Sequence, residues 1–268
     1  MKENIQHKNT SLVYYKYGKG MPVILLHGFA ETNAIWNKQV EYLSSYCMLL
    51  IPDLPGSGDS LLLEVPEKKL SIEDLAESIS SILKKENIEQ CIMLGHSMGG
   101  YVTLAFAEKF PHKLKAFGFV QSTAFADSAE KKQNRLKGID MIENYGSYAF
   151  LKNSTPNLFA EKFKKEHPDE VNALIEAGKD FAPKNLQQYY YAMMQRSDRT
   201  QVLKNSRLPV LFVIGEQDAA VPLNDILKQV HLPEIAYIHI IENVSHMSML
   251  EAPDKLNVIL KNFVNALE

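Results

Sequence analysis

Short apolar runs punctuate the chain at 23–26, 47–51, 91–94, 116–120, 210–214 and 236–241. Val23-Ile24-Leu25-Leu26 shows no polar alternation, the pattern of a strand covered on both faces. Between the runs the spacing becomes helical. Ile35, Trp36, Val40 and Leu43 share one face. Ser71-Ile72-Glu73-Asp74 is a capping box, followed by an apolar stripe of Leu75, Ile79, Ile82 and Leu83. Leu12 to Tyr17 alternates weakly and stops at Gly18-Lys19-Gly20, which predicts an edge strand and a turn. Strands that alternate with helices imply right-handed crossovers and a largely parallel sheet.

The alternation breaks once, between Ser122 and Leu208. There the pattern predicts helices over 128–144, 169–179 and 184–196, separated by Gly146, Pro156, Pro168 and Pro183. The expected organisation is therefore an α/β core of residues 1–122 and 208–268 with a helical cap, 123–207, inserted after the sixth strand. No internal repeat or low-complexity segment interrupts it.

Composition narrows the classes. At 268 residues, the chain is long enough for one large α/β domain with an insertion. A net charge of −3 argues against nucleic acid as a partner. No apolar run is long enough to cross a bilayer, and residues 1–10 hold no stretch of signal-peptide length, so a cytoplasmic location without membrane attachment is expected. Cys47 and Cys91 fall in apolar runs and read as reduced core residues. The insertion holds 14 basic and 11 acidic residues, against 15 and 21 outside it, a bias read as solvated surface or as guidance of an anionic substrate.

The chemistry concentrates at residues 91–110. Ile92-Met93-Leu94 leads into Gly95-His96-Ser97-Met98-Gly99 and then a helix that ends before Pro111. Strand, tight turn and helix is the setting in which G-x-S-x-G exposes a nucleophile. Side chains two before and two after the serine would collide, so both positions are glycine, and Ser97 is forced into a strained backbone conformation. The helix N-terminus behind it supplies unpaired N–H groups and positive dipole for a developing oxyanion.

A serine hydroxyl needs a base, and a histidine base needs a carboxylate to fix its tautomer. Val210–Ile214 leads to Gly215-Glu216-Gln217-Asp218, and Ala236–Ile241 leads to Glu242-Asn243-Val244-Ser245-His246. The chain order Ser97, Asp218, His246 follows, with Glu216 as the rival acid. After 116–120 no carboxylate occurs until Asp127. No metal-ligand spacing, P-loop or well-fitting dinucleotide fingerprint is present, so neither metal nor cofactor is expected.

Together Leu-Leu-His-Gly-Phe (25–29), Asp-Leu-Pro-Gly-Ser-Gly-Asp-Ser (53–60), Gly-His-Ser-Met-Gly-Gly (95–100), Gly-Glu-Gln-Asp (215–218) and Ser-His-Met (245–247) resemble the α/β-hydrolase superfamily. The similarity is to its capped branch of small carboxylesterases, cofactor-free haloperoxidase-like proteins and C–C bond hydrolases. It implies an α/β-hydrolase fold, with Ser97 as nucleophile, His246 as base and Asp218 as orienting acid. It also implies an oxyanion hole from the backbone N–H groups of Phe29 and Met98. His27 and His96, with Asp53 and Ser60, then read as loop braces.

Trp36, Tyr190 and Met194 are candidates to line an apolar pocket, with core packing as the alternative for each. The expected function is a serine hydrolase acting on a small-molecule acyl substrate, a carboxylic ester. C–C bond hydrolysis, thioester hydrolysis, acyl transfer and perhydrolysis stay open on the same triad. So does a ligand receptor without turnover, and so does a homodimer.

Overall fold

A computed structural model describes residues 1–65 and 68–267. Eight strands form one sheet: β1 (Lys2–His7), β2 (Thr10–Tyr17), β3 (Pro22–Leu26), β4 (Met48–Pro52), β5 (Cys91–His96), β6 (Leu114–Val120), β7 (Val210–Gly215) and β8 (Ala236–Ile241). Their spatial order is β1-β2-β4-β3-β5-β6-β7-β8. From β4 to β8 every neighbouring pair is parallel, while β2 runs antiparallel to both β1 and β4. The mostly parallel sheet expected from the apolar runs is thus present.

One expectation at the sheet's start is corrected. The segment 12–17 is not an edge strand, because β1 pairs outside it from Lys2↔Tyr15 to His7↔Thr10. β1 alternates exposed and part-buried residues and takes its register from β2, so it has no apolar run of its own to announce it.

The helices are α1 (Asn37–Leu43), α2 (Ile72–Lys85), α3 (Met98–Lys109), α4 (Ala129–Ser154), α5 (Glu161–Glu166), α6 (Pro168–Ala177), α7 (Pro183–Gln195), α8 (Thr200–Lys204), α9 (Leu223–Leu227), α10 (Ser248–Glu251) and α11 (Pro253–Asn265). α2 starts at the capping box: the Ser71 hydroxyl accepts from the Asp74 amide, and the Asp74 carboxylate accepts from the Ser71 amide. α4 to α8 all lie between β6 and β7 in sequence, and α4 is kinked at Gly146, whose φ is 81°.

Strand periodicity divides the core in two. Ile24, Leu26, Leu50, Met93, Phe117, Phe119, Phe212 and Ile214 pack on the face covered by α2 and α3. Val23, Leu25, Leu49, Ile51, Ile92, Leu94, Leu211 and Val213 pack on the other, with α1 and α11. Each such apolar side chain contributes about 1.5–3 kcal/mol relative to exposure. Cys91 belongs to the first cluster and Cys47 to the second, so the sheet lies between the two thiols. Burial pushes the Cys91 thiol up to about 12, which makes it a poor nucleophile. Among the described residues, no helix is long and apolar enough to cross a membrane.

Candidate active site

β5 ends at His96 and α3 begins at Met98, so Ser97 alone makes the turn, with φ 48° and ψ −113°. A left-handed φ on a residue with a Cβ costs of order 1–3 kcal/mol and persists only where surrounding bonds impose it. Here the Ser97 amide donates to the Val120 carbonyl at 3.1 Å, and its carbonyl accepts from Gly100 N at 2.9 Å and Ser122 Oγ at 2.7 Å. The flanking glycines are required by two different contacts. A Cβ on Gly95 would lie 2.2 Å from the Gly99 backbone. A Cβ on Gly99 would lie 2.5 Å from the Leu26 carbonyl oxygen, at the C-terminal end of β3. The second glycine therefore lets α3 sit against β3, rather than merely clearing the turn.

His246 and Asp218 meet across the ends of β7 and β8. His246 Nδ1 donates to Asp218 Oδ2 at 2.7 Å, with both side chains buried. The other Asp218 oxygen accepts from the Ala220 and Val221 amides at 2.8 and 2.9 Å, which fixes the carboxylate in the loop. Burial disfavours a charged His246, yet the Asp218 carboxylate, with Glu31 and Glu251, holds the imidazole above its ordinary value. With Nδ1 committed to Asp218, Nε2 is the nitrogen that can accept a proton. His246 and Ser97 line one cavity.

The rival carboxylates lie elsewhere. Exposed Glu216 accepts from the Asn243 amide at 2.9 Å and so closes the base of the β8 loop. Asp127 pairs with Arg135 and Arg196.

Phe29 N and Met98 N, the candidate oxyanion donors, make no hydrogen bond to the protein among the described residues. The neighbouring Gly28 amide is taken, donating to Glu31 Oε2 at 2.6 Å. His27, Asp53 and Ser60 brace the loops beside the cavity. His27 Nδ1 donates to the Gly28 carbonyl, and its Nε2 accepts from Leu54 N at 3.0 Å. That pattern needs a neutral ring, and burial lowers its pKa accordingly. Asp53 accepts from Asn33 and Asp59, and the Ser60 hydroxyl donates to the Asp53 carbonyl at 2.7 Å.

Two carboxylates that sequence reasoning missed complete the surroundings. Glu31, buried on the cavity wall, bonds His96 Nδ1 at 3.0 Å, and His96 Nε2 donates to the His246 carbonyl at 2.9 Å. Burial would raise Glu31, but the His96 ring and the Gly28 amide hold it below the usual carboxylate range. Glu251 accepts from the Ser245 and Met247 amides on either side of His246, and from Ala160 N in the insertion. The His246 amide itself donates to the Leu158 carbonyl at 3.0 Å.

Of the pocket candidates, Tyr190 lines the cavity and stacks on Phe29, with ring centroids 4.4 Å apart and planes 8° apart. Trp36 does not line it. It is fully buried in the cluster beneath α1 and α11, so the helical spacing that singled it out reported core packing. Met194 is also absent from the lining, and Met193 faces the cavity instead, one helical position away. Tyr189 turns inward, and its hydroxyl donates to the Pro55 carbonyl at 2.9 Å, tying α7 to the 53–60 loop.

A family model described as the Ndr family matches residues 37–267. The chain belongs to the Ndr family. This Ndr-family chain is also similar to curated enzymes. It is 26% identical to Lipase 1 of Psychrobacter immobilis, over 96% of this chain and 81% of that one. It is likewise 26% identical to the pimeloyl-[acyl-carrier protein] methyl ester esterase of Aeromonas hydrophila, over 93% and 97%. A thermophilic esterase from Thermogutta terrifontis, solved with malate bound, superposes with a TM-score of 0.93 at 23% identity, covering 100% of this chain and 99% of that one. The expected α/β-hydrolase fold is therefore the fold of this chain.

Proposed function

We propose that the chain is a serine hydrolase that cleaves small carboxylic esters through an acyl-enzyme on Ser97. The observation that carries this reading is the 2.7 Å bond from His246 Nδ1 to buried Asp218, at a cavity shared with Ser97. That bond leaves Nε2 as the base. Ser97 Oγ attacks the acyl carbon while Nε2 takes its proton. The oxyanion faces the Phe29 and Met98 amides, each such donor stabilising the transition state by about 3 kcal/mol. Nε2 then protonates the departing alcohol. Water then attacks the acyl carbon while giving a proton to Nε2, and Nε2 returns that proton to Ser97 Oγ as the bond to serine breaks and the acid leaves.

The cavity around Ser97 and His246 is concave and largely apolar, walled by Phe29, Phe150, Leu158 and Tyr190, the character of a small-molecule site. The curated relatives named as a lipase and a methyl ester esterase support ester chemistry. Buried thiols on both sheet faces suit a reducing, cytoplasmic setting. Turnover of p-nitrophenyl butyrate that disappears in Ser97→Ala is the expected result. Equal turnover by that folded variant would overturn the reading.

A further inference from the structure

The insertion carries a cation into the cavity. Arg135, on α4, lines the same space as Ser97 and His246, and its side chain is only 19% exposed. Its Nε donates to Asp127 Oδ2 at 2.5 Å, and its Nη2 lies 3.3 Å from Asp127 Oδ1. Nη1 makes no hydrogen bond among the described residues, yet it is not one of the fully enclosed orphan atoms.

The local charge does not balance. Asp127 also pairs with Arg196, whose Nη1 is 2.8 Å from Oδ1. One carboxylate therefore faces two guanidinium groups. The other partners of Arg196 are neutral: the Met193 and Phe125 carbonyls and the face of Tyr101, 3.8 Å from the guanidinium carbon. Tyr190 lies beneath Arg135, its ring 5.5 Å from the guanidinium carbon. The acids near His246 do not supply the missing charge. Asp218 is committed to His246, Glu31 to His96 and Gly28, and Glu251 to three backbone amides. A mostly buried guanidinium that shares its one carboxylate with a second cation and keeps Nη1 free can receive a further carboxylate.

We propose that Arg135 is a specificity residue that receives a carboxylate of the substrate, so that the preferred substrates are small esters bearing a second, anionic carboxyl group. The inference rests on the serine-hydrolase reading and names its substrate class. Arg135 touches substrate but takes no part in bond making.

The test compares matched esters. In one series the anion lies on the acyl side: mono-p-nitrophenyl succinate, glutarate and adipate, each against its neutral methyl ester. In the other it lies on the alcohol side: 4-carboxyphenyl acetate against 4-(methoxycarbonyl)phenyl acetate. Wild type is expected to favour the charged ester in kcat/KM by about tenfold or more in at least one pair, the scale of a charge-assisted hydrogen bond. Arg135→Gln should remove that preference, and Arg135→Lys should retain part of it. Melting curves check that each variant is folded, and the wild-type ratio decides where one is not. No preference in any pair, or a preference that survives in folded Arg135→Gln, overturns the proposal. Absence of turnover with every ester, together with an unlabelled Ser97 under a fluorophosphonate, overturns the hydrolase reading itself.

Discussion

His96 Nε2 donates to the backbone carbonyl of His246 at 2.9 Å, although 150 positions separate the two residues. The residue before the proposed nucleophile thus holds the loop that carries the proposed base. The other nitrogen of His96 is held by Glu31, so the cavity wall, the elbow and the β8 loop form one bonded unit.

Glu31→Gln is expected to loosen this unit. Its acid also adds to the field that raises His246. Removing the negative charge should shift the low-pH limb of kcat/KM to lower pH and reduce kcat by about tenfold, on the order of one lost charge-assisted bond. A pH–rate profile measured beside wild type checks this. An unmoved limb would show that Glu31 acts on packing alone.

In wild type the base form of His246 is required. Because its pKa is raised, activity should climb with pH through a midpoint above about 6.5, the ordinary imidazole value. The same shift has the opposite sign for stability. The His246–Asp218 ion pair stabilises the fold fully below that value and is lost as pH rises through the folded pKa. Activity and the pair's contribution to stability should therefore change in opposite directions across that interval.

Asp218→Asn should reduce kcat on the order of 10³–10⁴-fold, because the His246 tautomer is no longer enforced. Glu216→Gln should cost far less, since that carboxylate only accepts the exposed Asn243 amide. Steady-state kinetics on both variants would exchange the two assignments if the losses were reversed.

Gly99→Ala tests how the elbow is seated. Its Cβ would meet the Leu26 carbonyl at 2.5 Å, and backbone cannot swing away as a side chain can. Destabilisation of about 1–3 kcal/mol is expected, read as a fall of several degrees in Tm. An unchanged Tm would show that α3 is free to shift from β3.

The sheet was legible because its central strands are buried on both faces and so appear as apolar runs. The elbow was legible because steric demand reduces it to a local pattern of Gly95, Ser97 and Gly99. What escaped depends on distant partners. Glu31 meets His96 from 65 positions away, and Glu251 meets Ala160 from 91. Neither leaves a local trace. Arg135 lies in a charged helix that reads as solvated surface, and its contacts with Asp127 and Tyr190 leave no mark in that helix's own pattern. Trp36 and Met194 erred for a related reason. Helical spacing marks an apolar face without saying whether that face meets the core or a cavity.

The central claim is an activated hydroxyl at residue 97, and the most direct measurement is peptide mapping after reaction with a fluorophosphonate. The account predicts one label per chain, on Ser97, abolished when His246 is replaced by alanine. A folded protein that takes no label, or takes it on another residue, would contradict it.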